Sequence, residues 1–296
     1  MADPFVSIVV PTYRRPARLA DCLRSFTALD YPPDRFEVVV VDDGSGAPPE
    51  AAVAAAGRRV HTSLVVVEHA GPAAARNAGA ARAKGELLAF TDDDCRVTAG
   101  WLRAFAARFR TGDGAMLGGR TVNALTANAC ASASQVLIDY LYRHYNADPD
   151  NARFFASNNL AVPTDRFQHL GGFDTSFALA AGEDRELCHR WRGAGHRLVY
   201  VPDAIVLHAH ALTLRQFWRQ HFDYGRGAAH LRSRLPRERE SAISLESPSF
   251  YLQLLTCALR LPRGAPRRAS ITALLAFSQM ATAAGVWRER WRRSRP

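Results

Sequence analysis

The 296-residue chain has only five cysteines, widely scattered and without a CxxC pair. This excludes a disulfide-stapled secreted domain and a cysteine-rich zinc module. The N-terminus lacks both a basic n-region and a small-residue cleavage site, so we expect no leader sequence and a cytoplasmic protein with reduced thiols. Lysine is scarce as well, because arginine supplies nearly all of the positive charge.

The formal net charge of +10 favours polyanionic partners such as nucleotide phosphates, anionic lipid or nucleic acid. Arginine and tryptophan alternate in Trp287–Arg295, a pattern that fits a membrane surface, RNA or a solvated tail. The uncharged stretch Ala269–Trp287 is long enough to span a bilayer, but its alanine and hydroxyl content disfavours insertion. We expect C-terminal helices, with a second basic cluster at Arg263–Arg268, that lie on the inner face of the plasma membrane, pack on the domain or form a homodimer. No nucleic-acid partner is expected.

Strand-like and helix-like segments alternate in the first half of the chain. Apolar, β-branched runs predict strands at Val6–Val10, Glu37–Val41, Leu64–Glu68 and Leu87–Thr91, with helices between them. Repeated strand–helix–strand units imply parallel pairing, so the predicted fold class is α/β with a Rossmann-like, mixed and mostly parallel sheet flanked by helices.

Later segments extend this prediction. Further strands are predicted at Ala115–Val122, at Phe154–Val162 with Ser157–Asn159 inside it, and at Leu198–Val201 just before His208. A helix opened by acidic residues is predicted over Glu183–Gly195. We predict a catalytic domain at residues 1–232, with a nucleotide-binding half at 1–122 and an acceptor half at 123–232. Residues 233–296 are predicted to form a basic helical extension.

Polar residues follow three of the predicted strands directly: Pro11-Thr12-Tyr13, Asp42-Asp43 and Asp92-Asp93-Asp94. Ligand sites of open α/β sheets form at the carboxyl ends of the strands, so we expect these groups to converge. Three adjacent carboxylates repel one another, and Mg²⁺ or Mn²⁺ takes one or two carboxylates together with substrate phosphate oxygens. The run predicts metal-assisted handling of a diphosphate, and a solvated acidic turn is the alternative.

These segments resemble the family 2 glycosyltransferases with a GT-A fold over residues 6–224. The resemblance is carried by Val9–Tyr13, Val41–Ser45, Ala75–Gly79, Phe90–Asp94, Gly171–Asp174 and Gly182–Leu187. It implies an inverting transfer of sugar from a nucleotide-diphospho-sugar, by default a UDP-sugar, with Mn²⁺ or Mg²⁺. The acceptor would be a sugar, a lipid-linked molecule or a small molecule in surface-glycan, glycolipid or natural-product synthesis. The Gln-x-x-Arg-Trp signature of processive members is not present as such, which favours single addition.

The resemblance and the residue chemistry together suggest roles. Contacts to the donor nucleotide-sugar are expected from Pro11, Thr12, Tyr13, Arg15, Asp43, Arg76, Asp92, Asp93 and Asn158. The expected metal ligands are Asp94, Asp92 and His208, with His210 as an open alternative. Asp184 is the expected general base and Glu183 orients the acceptor, although acidic residues at a helix N-terminus also suit capping. Asp42 and Asn77 are expected to be structural.

Two other classes stay open. A nucleotidyltransferase could share this sheet and acidic site, but it would normally carry a glycine-rich phosphate loop after the first strand. Tyr13–Pro16 offers arginines there and no glycine. A non-enzymatic module that binds RNA or membrane would explain the positive charge and leave the acidic clusters without a purpose.

Overall fold

The computed structural model describes residues 3–177, 179, 181–234, 246–260 and 268–294. Its strands are β1 Val6–Thr12, β2 Phe36–Asp43, β3 Thr62–Val67, β4 Leu87–Thr91, β5 Cys95–Val97, β6 Met116–Asn123, β7 Asn159–Pro163 and β8 Leu198–His208. Its helices are α1 Pro16–Phe26, α2 Glu50–Gly57, α3 Pro72–Arg82, α4 Trp101–Phe109, α5 Ala129–Tyr145, α6 Thr164–His169, α7 Glu183–Gly193, α8 Leu214–Arg234, α9 Pro248–Thr256 and α10 Arg268–Arg293.

The chain divides into two compact units. The first comprises Met1–Val122, Tyr145–Ala178 and Asp184–Ala209, and the second comprises Asn123–His144, Leu179–Glu183 and His210–Pro296. The division predicted at residues 232 and 233 stays a prediction.

One eight-stranded sheet, in the order β3-β2-β1-β4-β7-β6-β8-β5, organises the fold. Strands β3, β2, β1 and β4 are parallel to one another, whereas β7 is antiparallel to β4 and β6, and β5 is antiparallel to β8. This confirms the predicted mixed α/β sheet and its parallel half.

The inner strands of the parallel half are buried on both faces, as strands covered by crossover helices are, whereas the edge strand β3 is partly exposed. Every residue of β1, β2 and β4 is buried. Helix α3 lies directly on the sheet at Gly79, where a Cβ atom would collide with Val9 and approach Val41 Cγ2 to 2.9 Å. The predicted motif Ala75–Gly79 therefore needs its glycine for close helix–strand packing.

Two strand predictions are corrected. The predicted strand Phe154–Val162 is extended only from Asn159 onward, where β7 begins, and Ser157 and Asn158 lie in a turn before it. The strand predicted at Leu198–Val201 runs on to His208, so this histidine ends the strand instead of following it. Pro202 and Asp203 interrupt the apolar run, but both lie exposed on β8 and are tolerated there.

Helices form the second unit. Their apolar core contains Tyr140, Phe217, Phe250, Leu254, Ile271 and Leu275, among others. Helices α8 and α10 touch through glycines, because Gly225 faces the backbone of Thr282 and Gly285 faces the backbone of Phe222. Helix α9 is followed by a 3-10 turn at Cys257–Arg260. Of the two predicted basic clusters, residues 263–267 and Arg295 lie outside the described residues.

Helix α10 is the one described helix that is long and apolar enough to cross a membrane, judged by length and composition alone. Only 28% of its most apolar stretch is buried. Core helices of soluble proteins can pass the same test, so the observation is weak.

Glu289 holds the two long helices of this unit together. Its carboxylate accepts from Arg226 of α8 at 3.3 Å and from Arg292 and Arg293 of α10 at 2.8 and 3.2 Å. Burial alone would raise the pKa of Glu289, but these arginines lower it from 4.5 to about 2. A carboxylate whose pKa is lower in the folded state than in the unfolded state stabilises the fold at pH values above the unfolded-state pKa. This stabilisation is lost as the pH falls through the folded-state pKa.

Glu289→Gln should therefore lower the free energy of unfolding at pH 7 by about 1–3 kcal/mol, since three arginines lose their counterion. The difference from wild type should shrink between pH 4.5 and about 2, where the wild-type carboxylate gains its own proton. Urea unfolding followed by circular dichroism measures both. The exposed Glu68→Gln is the control, and equal stability of the two variants at pH 7 would refute this role.

Candidate functional site

The carboxyl ends of β1, β2 and β4 meet at one edge of the sheet in the first unit. The register pairs Thr12 with Asp42 and Val9 with Phe90, so these parallel strands end side by side. The Thr12 hydroxyl donates to Asp93 Oδ2 at 2.7 Å. The predicted convergence of the strand ends is thus observed for the first and fourth strands.

Asp92, Asp93 and Asp94 form what we call the acidic edge, and arginines surround it. Arg76 Nη2 lies 2.7 Å from Asp92 Oδ1, and Arg15 Nη2 lies 3.1 Å from Asp93 Oδ1. The side chains of Asp93 and Asp94 are 0% and 4% exposed. Burial raises the pKa of Asp93 to about 7, although Arg15 and Thr12 oppose the rise.

Asp94 also contacts the end of β8. His208 Nε2 lies 3.2 Å from Asp94 Oδ1, and Cys95 pairs with His208 across β5 and β8. One donor atom from each of these three residues lies within 4.8 Å of the others. Burial would lower the pKa of His208, but its hydrogen bond to Asp94 and the charge of that carboxylate raise it overall.

The protonation states of Asp94, Cys95 and His208 determine which cation these three residues could hold. Burial raises the pKa of the Cys95 thiol well above its usual value, and the carboxylates of Asp92 and Asp94 add to the rise. A thiol that keeps its proton is a poor ligand. The oxygen of Asp94 and the nitrogen of His208 remain, a donor pair that Mn²⁺ accepts.

The structure therefore brings only two of the three predicted metal ligands together. Asp94 and His208 lie together, whereas Asp92 is paired with Arg76. His210, the alternative to His208, belongs to the second unit, and its Nε2 lies 3.2 Å from Gln220 Oε1.

Tyr13 and Asp43 meet around a histidine that follows β3. The rings of Tyr13 and His69 stack with centroids 4.2 Å apart. Asp43 accepts hydrogen bonds from the backbone amides of Ala70 and Gly71 at 2.9 and 3.0 Å, and its Oδ2 lies 2.9 Å from His69 Nδ1. The chain itself thus engages both carboxylate oxygens, and contact between Asp43 and a base stays a prediction.

Two residues expected to be structural have local partners. The amide of Ser45 donates to Asp42 Oδ2 at 3.1 Å, which fixes the turn after β2. Asn77 donates to the carbonyl of Phe173 and accepts from its amide, both at 2.8 Å. These contacts support the structural role predicted for Asp42 and for Asn77.

Glu183 and Asp184 open helix α7, as predicted. Asp184 Oδ1 accepts from the amide of Arg185 at 2.7 Å. Burial raises the pKa of Asp184, while Arg185 and Arg76 lower it, and the net direction is upward. A carboxylate with a raised pKa suits a general base near neutral pH.

Asn158 and Asn159, adjacent in the chain, have different surroundings. Asn159 is fully buried, accepts from Trp101 Nε1 at 2.8 Å, and donates to the carbonyls of Ala204 and Arg120 at 2.9 and 3.0 Å. These contacts use every polar atom of the Asn159 side chain within the interior of the first unit. Asn158 is partly exposed and accepts from the Thr121 hydroxyl at 3.2 Å.

Asn159→Ala should destabilise the chain by about 2–4 kcal/mol, because it leaves one donor and two acceptors buried without partners. Asn158→Ala should cost less than about 1 kcal/mol. Thermal or urea unfolding of the two variants measures this difference. Equal losses of stability in the two variants would contradict the structural importance of the Asn159 hydrogen bonds.

Three residues at this edge were not predicted to belong to the site: Arg18, His69 and Cys95. Arg18 lies three residues after Arg15 in the first turn of α1, so both can face the acidic edge, and this spacing was a usable signal. His69 is placed by a loop, and nothing in its sequence context marks it.

Comparison with known proteins agrees with this geometry. Residues 7–170 match the model of the family described as Glycosyl transferase family 2. The pre-mycofactocin glycosyltransferase of Mycobacterium tuberculosis is 30% identical over 238 residues, covering 78% of this chain and 48% of that protein. Glycosyltransferase AglE of Haloferax volcanii is 29% identical over 231 residues, covering 76% and 73%. The chain thus spans about half the length of the first of these relatives.

Solved structures share the fold. The mannosyltransferase PcManGT from Pyrobaculum calidifontis, in complex with GDP-Man and Mn²⁺, superposes with a TM-score of 0.65 at 18% identity, covering 98% of this chain and 89% of that one. Residues 1–349 of Staphylococcus aureus TarS, in complex with UDP-GlcNAc, give 0.63 at 17%, covering 97% and 91%. The family match extends over more than half of the chain and includes β1, β2 and the acidic edge. The chain belongs to glycosyltransferase family 2.

Proposed function

We propose that the chain is an inverting, cation-dependent glycosyltransferase that moves a sugar from a nucleotide-diphospho-sugar to an acceptor hydroxyl. The observation that carries the proposal is the acidic edge, where Asp94 lies 3.2 Å from His208 and three arginines face the carboxylates. A planar guanidinium group can donate two parallel hydrogen bonds to two phosphate oxygens, so the arginines of this edge suit a diphosphate. The similar structures hold GDP-Man or UDP-GlcNAc, and a UDP-sugar is our favoured donor.

The chain's own residues would share the work of binding. Asp94 and His208 would hold Mn²⁺ or Mg²⁺, with Asp92 reaching the ion or its water shell. A bound divalent cation neutralises the charge of a departing diphosphate. Tyr13, in its stack with His69, and Asp43 would hold the base. The remaining donor contacts would come from Pro11, Thr12, Arg15, Arg76, Asp93 and Asn158.

Asp184 would accept the proton of the attacking hydroxyl, with Glu183 orienting the acceptor. Its raised pKa supports this role, because proton transfer is efficient when the base titrates near the working pH. One base and a single displacement invert the anomeric centre. The acceptor would be a sugar, a lipid-linked molecule or a small molecule of glycan, glycolipid or natural-product synthesis. Residues 1–232 would carry this activity.

Asp94→Ala should abolish cation-dependent donor binding. Wild type and variant are incubated with Mn²⁺ and UDP-, GDP- and dTDP-sugars, and nucleotide release and donor affinity are measured. The exposed Asp21→Ala, which removes the same charge from α1, is the control. A variant with unchanged Mn²⁺ dependence would overturn the proposed cation site.

Asp184→Asn should keep donor affinity and lose turnover by roughly 10²–10⁴-fold, since it preserves shape and removes the base. Steady-state rates measure this, with the exposed Asp165→Asn as the control. An α-configured donor should give a β-linked product by NMR. Near-normal turnover would place the base elsewhere, with Glu183 the next residue to test.

The second unit has a surface that fits an anionic bilayer. Trp287 and Met280, seven residues apart on α10, are 67% and 62% exposed. Helix α10 has no charge from Ala269 to Trp287, and exposed Arg288 and Arg290 follow. The Arg288 guanidinium lies 5.4 Å from the centroid of the Trp291 ring. Tryptophan at a membrane interface beside basic residues is typical of peripheral binding. We therefore place the chain in the cytoplasm, peripheral on the inner face of the plasma membrane.

The intact chain should co-sediment with phosphatidylserine-containing vesicles at low salt, and binding should weaken at high salt. Trp287→Ala/Trp291→Ala should bind at least several-fold more weakly, whereas Val66→Ala, at the exposed Val66 of the first unit, should bind as wild type does. If the intact chain does not bind these vesicles, and the double variant instead disrupts a dimer seen by ultracentrifugation, the exposed tryptophan face of α10 is a homodimer contact.

A further inference from the structure

Asp94 is enclosed by basic side chains that the chain itself supplies. Arg15 Nη1 and Arg18 Nη1 each lie 3.3 Å from Asp94 Oδ2, and His208 occupies the other oxygen at 3.2 Å. A cation that binds Oδ2 must therefore take the place of two guanidinium groups.

The carboxylates of the acidic edge are also matched in number by guanidinium groups, and His208 adds a further basic group beside Asp94. Arg76 pairs with Asp92, Arg15 bridges Asp93 and Asp94, and Arg18 completes the set. Three guanidinium groups thus face three carboxylates. A divalent cation that arrived alone would leave excess positive charge beside the displaced arginines, which disfavours its binding. A diphosphate that arrives with the cation restores the balance and gives the guanidinium groups new acceptors.

Arg15 and Arg18 are the arginines that can exchange partners. Their side chains are 41% and 40% exposed, whereas that of Arg76 is 4% exposed, and its guanidinium lies 5.5 Å from the Phe173 ring centroid. The backbone before α1 is fixed at Arg14, the one described non-glycine residue with positive φ, at 55°. Its amide donates to Ser45 Oγ at 2.8 Å. A strained, anchored turn thus holds the start of α1 at the edge while the tips of Arg15 and Arg18 reach water.

We propose that Arg15 and Arg18 are exchangeable counterions of Asp94, which they neutralise in the ion-free protein and leave for the donor diphosphate when cation and nucleotide bind. The inference rests on the proposed function, because it takes Asp94 as a cation ligand. It makes cation and nucleotide binding cooperative, and by linkage each raises the affinity for the other by the same factor. Arg18, which lies outside the segments that carry the resemblance to the family, becomes a donor-positioning residue.

Direct Mn²⁺ binding tests this without any turnover. The electron paramagnetic resonance signal of free Mn²⁺ is titrated with the intact chain, alone and with UDP or GDP. Wild type should bind Mn²⁺ roughly tenfold more tightly with the preferred nucleoside diphosphate, within the usual range of coupling between two ligands. Arg18→Gln should bind Mn²⁺ alone roughly three- to tenfold more tightly than wild type, because a competing partner of modest strength is gone. It should also show a smaller coupling factor. Arg15→Gln/Arg18→Gln should enlarge both effects.

The matched control is Arg24→Gln, which removes the same charge from α1 at a residue paired with Asp21. The inference is wrong if Arg18→Gln and the double variant bind Mn²⁺ no more tightly than Arg24→Gln, or if coupling is unchanged. Loss of Mn²⁺ binding in Asp94→Ala would still support the proposed cation site in that case. If Mn²⁺ binds under neither condition and sugar transfer persists in EDTA, the cation dependence of the proposed function fails and this inference fails with it.

Discussion

The rest of the site depends on the repulsion between three consecutive carboxylates at the end of a buried strand. Asp93 and Asp94 are nearly inaccessible to water, and buried negative charges persist only when they are paired or bound to a cation. Each of the three therefore has a basic partner: Arg76 for Asp92, Arg15 for Asp93, and Arg15, Arg18 and His208 for Asp94. The first turn of α1, helix α3 and the end of β8 supply these partners together with Arg15.

The sheet makes such pairing possible. Strands β1 and β4 are parallel neighbours, so Thr12 and the acidic edge lie at the same level. The antiparallel pair of β5 and β8 then brings His208 beside Asp94. The antiparallel strands thus complete the surroundings of Asp94.

Much of this arrangement could be predicted from local patterns. Runs such as Val38–Val41 are β-branched, and polar residues directly after them predict the carboxyl edge. What escaped prediction depends on tertiary contacts. Pro202 and Asp203 interrupt the apolar pattern of β8, so its full length could not be predicted. Strand β5 has too few residues to show the alternating pattern of a strand. The spacing of Arg18 from Arg15 predicts that both lie on one side of α1, but only the fold shows that Arg18 reaches Asp94.

We propose that the acidic edge binds a cation together with a nucleoside diphosphate. A crystal structure of the intact chain with Mn²⁺ and UDP, with anomalous scattering to locate manganese, would test this binding. We expect manganese on Asp94 and His208, and the diphosphate against Arg15 and Arg18 with both arginines moved away from Asp94. Manganese at other residues, or a nucleotide bound away from the carboxyl ends of β1 and β4, would contradict it.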